Sequence, residues 1–371
     1  MAITAIAVSA PGLADASIAV TIYMGLGLLL DSPAAQLGAR YGLKPLVAAS
    51  GGLIVLTASA AVLLGTGWWI MVFAAVFAAC SSLIYIPTLA RYSELLGPAQ
   101  AAGQRMSVLV QRGGALIASG AITVALGREA PAELLFGLLI SGALLLGAAF
   151  TLPRGTNPGQ SSRPPAPANT GAVAAIRFSV AEMARSSVMV KGAVAAATMP
   201  IVFTAAGSAL PVALPGLGGA IGLGLVLREL LAMATAGFMG RGSLARTNIE
   251  FAAAVVGAGA GFWYGAVAGS PVAVAVGLGL SGPLIGAAIM ASTLNTRQAA
   301  LASTRPWACF AGMGMAARAG GLAGPLLLGW MLTFGRTGLA AGFVVLLAAA
   351  GLAVARRSAG ALISPRGKSG S

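Results

Sequence analysis

The sequence predicts an all-α integral membrane protein made of two pseudo-symmetric six-helix bundles, with eleven complete spanning helices and a remnant of the first. Three observations carry this: apolar segments of spanning length recur along the chain, cations gather in alternate loops, and arginines repeat at one fixed offset. Of 371 residues, 58% are hydrophobic and 8% charged, with mean hydropathy +0.92. A soluble domain carries roughly a quarter charged residues. Most of this chain must therefore face lipid or other apolar helices.

A bilayer core needs roughly 20 apolar residues per helical crossing. Five such segments fall at 16–38, 46–65, 68–90, 106–127 and 134–152. Six more follow at 192–212, 218–240, 251–269, 272–294, 307–333 and 338–355, each ended by Pro, Gly or charge. Between the two groups, the Pro-, Ser- and Arg-containing stretch from Pro153 has the composition of a linker. Its second part, 172–187, suits a short surface helix, because Ile176, Phe178, Val180 and Met183 alternate with Arg177, Glu182 and Arg185. The expected division is an N-terminal bundle at 1–152, a linker at 153–191, a C-terminal bundle at 192–355 and a tail at 356–371.

Lys and Arg are retained on the cytoplasmic side during insertion. Seventeen of the 22 cations fall in one alternate set of loops or the tail, and only Arg128 and Arg336 in the other set. Linker and C-terminus are thus expected in the cytoplasm. The net charge of +14 then serves the anionic inner leaflet and not nucleic acid. His is absent and both cysteines, Cys80 and Cys309, lie in apolar runs, so no metal, redox or other cofactor chemistry is expected. The glycines 257, 259 and 261 are not a nucleotide loop, since no strand precedes them. With no phosphate loop and no nucleophile beside a base, catalytic residues are not expected either.

Internal duplication is expected to leave matching features at one spacing. Arg40 and Arg246, Arg91 and Arg297, and Arg112 and Arg318 are each separated by 206 residues. Applying that register to the second half places the start of the first helix about fourteen residues before Met1. Residues 1–14 are then read as the end of a shortened first helix, with the start lying upstream or the gene truncated.

Burying an ionisable side chain in lipid costs about 3 kcal/mol on insertion scales, so each one inside a helix needs a partner, a cavity or a task. Arg228 and Glu229 lie mid-helix; neighbours point about 100° apart, so each is expected to face a separate partner. Asp31, beside Ser32 and Pro33, joins Glu229 as a candidate proton carrier or is simply a helix-end contact. Arg112 and Arg318 either snorkel to the interface, or bind anionic groups or cross the interface between the halves during alternating access. Tyr23, Tyr85 and Trp263 are candidate aromatic contacts in a central cavity.

Two helical halves, a cytoplasmic linker and a basic loop at 39–45 together resemble the major facilitator superfamily. That family's signature reads roughly G-x-L-A-D-R-x-G-R-K, and Leu37, Arg40, Gly42 and Lys44 fit it as a gating motif. Ala39 stands where the family has its Asp, removing a charge that helps latch the halves. Gly320, Gly324, Pro325 and Gly329 are similar to the family's antiporter-type glycine motif, which normally belongs to the fifth helix. Here they fall in the eleventh and serve helix packing. The resemblance implies a monomeric transporter in a bacterial inner membrane that exports a small organic solute by proton-coupled alternating access. The alternative is a non-transporting receptor or assembly factor that keeps the fold. An intramembrane enzyme ranks well behind both.

Overall fold

The computed structural model describes residues 13–64, 69–95, 100–127, 132–152, 171–204, 218–239, 241, 243–268 and 270–332. Among them are twelve helices and no strand. The first five are α1 (Leu13–Tyr41), α2 (Leu43–Leu64), α3 (Trp69–Leu95), α4 (Gln100–Gly127) and α5 (Ala132–Thr151). The connector holds α6 (Ala172–Arg185). The second set is α7 (Ser187–Thr204), α8 (Gly218–Phe238), α9 (Leu244–Ala268), α10 (Pro271–Gly279), α11 (Gly282–Leu301) and α12 (Pro306–Leu332). The segment at 338–355, the tail and residues 1–12 lie outside the described residues.

By length and composition, five stretches suffice to cross a membrane: Ile18–Tyr41, Leu43–Leu63, Ile70–Tyr92, Gly219–Phe238 and Pro271–Leu301. The chain is a multi-pass membrane protein. Its helices overrun the apolar windows. α4 begins at Gln100 and not 106, α9 at Leu244 and not 251, and α7 at Ser187, inside the stretch read as linker. Hydropathy marks where lipid ends, whereas backbone hydrogen bonding continues past that level through Arg105, Arg246 and Lys191.

The segment expected as one helix at 272–294 is two. Ser270 caps α10, its hydroxyl accepting from the Ala273 amide at 3.2 Å with Pro271 in the first turn. The helix stops at Gly279, and α11 restarts with Gly282 and Pro283 in its first turn. At the break the Ser281 hydroxyl donates to the Leu278 carbonyl at 2.6 Å. Restarting there lets α11 press on α8: a Cβ on Gly282 would strike the Arg228 carbonyl, and one on Gly286 the Ala232 carbonyl.

Within the first set, α1 packs on α3, and α2 on α3 and α5. In the second, α7 packs on α11 and α12, while α8 and α9 each pack on α10 and α11. Small residues allow this closeness, since helix association in lipid rests on van der Waals fit and not on a hydrophobic driving force. Gly51 of α2 and Gly142 of α5 illustrate it: a Cβ on either would lie about 3 Å from the other's carbonyl oxygen. Phe251, Leu284, Ile285 and Met290 form one buried core, and Ile86, Met189 and Phe310 centre another. Bulky apolar side chains such as Leu63, Ile117 and Phe150 face outward, as lipid contact requires.

The two sets meet along α1 with α12 and along α4 with α8. Under that junction lies α6, which is more than a surface helix. Ala175 and Ser179 are fully buried against α1 and α12.

Candidate functional site

Each junction between the halves carries a polar cluster, more than eight residues from either end of its helix. At the α4–α8 junction, Glu229 is fully buried and both its oxygens are engaged. Oε1 accepts from Arg228 Nε at 3.0 Å and Nη2 at 2.7 Å, and Oε2 from Arg112 Nη1 at 3.2 Å. The expectation that Arg228 and Glu229 face separate partners is therefore corrected. The 100° between adjacent Cβ directions is spanned by the length of the arginine side chain, which folds back onto its neighbour's carboxylate. Arg112 belongs to the first half and Glu229 to the second, so this ion pair crosses between them.

At the α1–α12 junction, Asp31 Oδ1 accepts from Ser82 at 2.6 Å, and Oδ2 lies 3.7 Å from Arg318 Nε. The Arg318 guanidinium stacks over the Tyr23 ring, 4.7 Å from its centroid, and donates from Nη2 to Ser81 at 2.8 Å. Tyr23 donates to the same Ser81 hydroxyl at 3.2 Å. Two glycines make the room. A Cβ on Gly27 would fall 2.5 Å from Arg318 Nε, and one on Gly314 would fall 2.7 Å from Asp31 Oδ2.

The clusters are related by the offset read from the sequence. Arg112 and Arg318 stand 206 residues apart, and so do Tyr23 and Glu229. Equivalent arginines thus meet equivalent positions on the facing helix: a carboxylate in one junction and an aromatic face in the other. Asp31, one helical stretch further on, supplies the acid that Tyr23 lacks. Helix starts keep the register too, with Gln100 of α4 and Pro306 of α12 again 206 apart.

A cavity of about 20 Å³, room for one water-sized body, is lined from α3, α7, α11 and α12 by Tyr85, Met199, Ile289, Ser292, Met313 and Gly314 among others. Trp263 lies in α9; its side chain is outside the described residues, as are those of Pro325 and Gly329. Within the glycine motif, Gly320 packs α12 against α7, where a Cβ would strike the Ala197 carbonyl.

The basic motif makes local ties. Gly42 turns the chain between α1 and α2 at φ +78°, a conformation that favours glycine, and its amide donates to the Gly38 carbonyl at 3.0 Å. Lys44 donates to the Leu152 carbonyl at 3.3 Å, Arg40 stacks on Tyr41, and Leu37 is exposed. Contact across the halves on this side comes from α6. Ser32 donates to Ser179 at 2.8 Å, and Arg305 stacks on Phe178 at 3.8 Å. Sequence reasoning passed over Ser81, Ser82 and Ser179. Two adjacent serines inside an apolar helix were the available signal. No group of His, Cys, Asp and Glu able to hold a metal occurs among the described residues.

No protein-family model matches the sequence, and no curated protein does. Solved structures do match, 182 chains of them. Among these is the crystal structure of the E. coli fucose:proton symporter FucP, similar at a TM-score of 0.60 with 17% identity, over 96% of this chain and 97% of that one. Over nearly its whole length, the chain has the fold of a major facilitator superfamily transporter.

Proposed function

We propose that this protein is a secondary transporter of the major facilitator superfamily, moving a small organic solute by alternating access with proton coupling. The observation that carries the reading is the pair of charged junctions. Arg112–Glu229 and Arg318–Asp31 are ion pairs between the halves, so their making and breaking can be linked to which side is open. A carboxylate that trades an arginine for a proton is a coupling device, and Glu229 and Asp31 are the two in position. The likeness to a proton symporter supports proton coupling. The antiporter-like glycine motif supports export as the direction. The protein acts as a monomer in a bacterial inner membrane, with linker and tail in the cytoplasm.

The test is solute flux in proteoliposomes under an imposed pH gradient. Flux driven by the gradient in the native chain, and uncoupled from it in Glu229→Gln or Asp31→Asn, is the expected result. Flux indifferent to both the gradient and the substitutions would sink the coupling assignment. A second reading, a non-transporting member of the fold, is favoured by Ala39 in place of the latch Asp and by the narrowness of the cavity. It predicts no flux of any solute while the protein stays folded.

A further inference from the structure

The two carboxylates that meet an arginine across the halves are held differently. Glu229 accepts from Arg228 and Arg112 at 2.7, 3.0 and 3.2 Å. Asp31 takes its short bond from a hydroxyl, Ser82 at 2.6 Å, while Arg318 Nε stops at 3.7 Å, beyond hydrogen-bond reach. A charge-assisted N–H···O bond ordinarily closes to about 2.7–2.9 Å. Arg318 is drawn the other way, its Nη2 donating to Ser81 at 2.8 Å and its guanidinium lying over the Tyr23 ring. Tyr23 in turn fixes Ser81, donating to the same hydroxyl at 3.2 Å. Adjacent serines of α3 thus divide the pair: Ser82 holds the carboxylate and Ser81 the guanidinium.

A carboxylate that gives up an arginine for a proton needs a place for that arginine to go. Resting on the transport reading above and deepening it, we infer that Ser81 is the positioning residue for proton exchange at Asp31: with Tyr23 it forms the seat that keeps Arg318 off the carboxylate. Oδ2, the oxygen on the arginine side, lies against Gly314, which lines the water-sized cavity, so one water can bring the proton to it or take it away. Arg318 keeps its charge throughout. Closed onto Asp31, it would hold the carboxylate ionised. The Ser82 hydrogen bond favours the ionised form too, so the two serines act in opposite senses. Among the described residues, the charged and titratable groups around Asp31 are Arg318 from α12, Tyr23 from α1 and Tyr85 from α3, three residues after Ser82. On α6, Glu182 is taken up by Arg185 at 3.3 Å with Cys309 of α12 at 3.9 Å, and Arg177 is exposed. On α2, Lys44 is tied to the Leu152 carbonyl, and Arg40 of α1 and Arg91 of α3 are exposed.

The experiment is infrared titration of the purified full chain in lipid, following the protonated-carboxyl stretch that Asp31→Asn abolishes; it needs no cargo. Ser81→Ala is expected to move the midpoint of that band to lower pH by about one unit, as Arg318 closes on Asp31. Ser82→Ala should move it to higher pH, and Ser81→Thr, which keeps the hydroxyl, should leave the native midpoint. A general loosening of α3 would not drive neighbouring serines in opposite directions. If Ser81→Ala fails to fold, Tyr23→Leu, which removes the ring beneath Arg318, takes its place with the same expected direction. Shifts of one sign, no shift on loss of the seat, a Ser81→Thr midpoint as low as that of Ser81→Ala, or no Asp31 band wherever the chain stays folded would overturn the assignment. Gradient-driven solute flux in proteoliposomes reports on transport separately. Midpoints that move as stated without flux count against transport, whereas flux with unmoved midpoints counts against the role of Ser81 alone.

Discussion

Glu229 is the side chain on which most depends, because it compensates two arginines from opposite halves. Removing one partner of a buried ion pair leaves an uncompensated charge, at a cost of about 3–5 kcal/mol. Glu229→Ala is therefore expected to lower the unfolding temperature sharply, with Glu229→Gln milder because an amide oxygen still accepts from arginine. Differential scanning fluorimetry in detergent checks the order; equal stability of Glu229→Ala and the native chain would contradict it. The equivalent contact, Arg318 on Tyr23, is a cation–π stack worth about 0.5–2 kcal/mol. Tyr23→Leu should accordingly cost less than Glu229→Ala in the same measurement, since Arg318 keeps Asp31 and Ser81.

Among the elements, α12 and α6 are the most constrained. Gly320 brings α12 so close to α7 that any Cβ meets the Ala197 backbone, which cannot yield as a side chain can. Gly320→Val is expected to destabilise by about 1–3 kcal/mol, the ordinary cost of overpacking, and to widen the melting transition. Helix α6 docks on α1 through Ser32, seven residues before Ala39. Because the Ser32 and Ser179 hydroxyls lie 2.8 Å apart, cysteines at both positions, with Cys80 and Cys309 replaced, should form a disulfide readily. That crosslink is expected to arrest flux in proteoliposomes and to release it on reduction. Full flux in the oxidised form would mean that α6 stays docked on α1 throughout the cycle.

For the molecule as a whole, seventeen cations on one set of loops and a single repeat register make a joint statement about threading. Impermeant thiol reagents should label cysteines placed at Ser161 and Ser369 from the same, cytoplasmic, face of the membrane. Labelling from opposite faces would break the two-bundle arrangement. The register also accounts for the way the halves differ. Arg112 and Arg318 stand 206 residues apart, and the positions they face, Glu229 and Tyr23, do too, but one is a carboxylate and the other an aromatic ring.

The helical membrane class and the offset of 206 between Arg112 and Arg318 could be read from residues alone, because lipid acts locally: each crossing must be apolar, and each interior charge stands out. Arg112 and Arg318 stood out for the same reason, as charges where charge is expensive. Their partners did not, since a partner is a matter of which helix faces converge. The pairing of Arg228 with Glu229, the break at Leu280 and Ser281, and the docking of Ser179 beneath Ser32 all depend on α8, α11 and α6 being pressed against neighbours distant in sequence. Spacing along one helix fixes where a side chain starts, and only packing between helices decides where a long one ends.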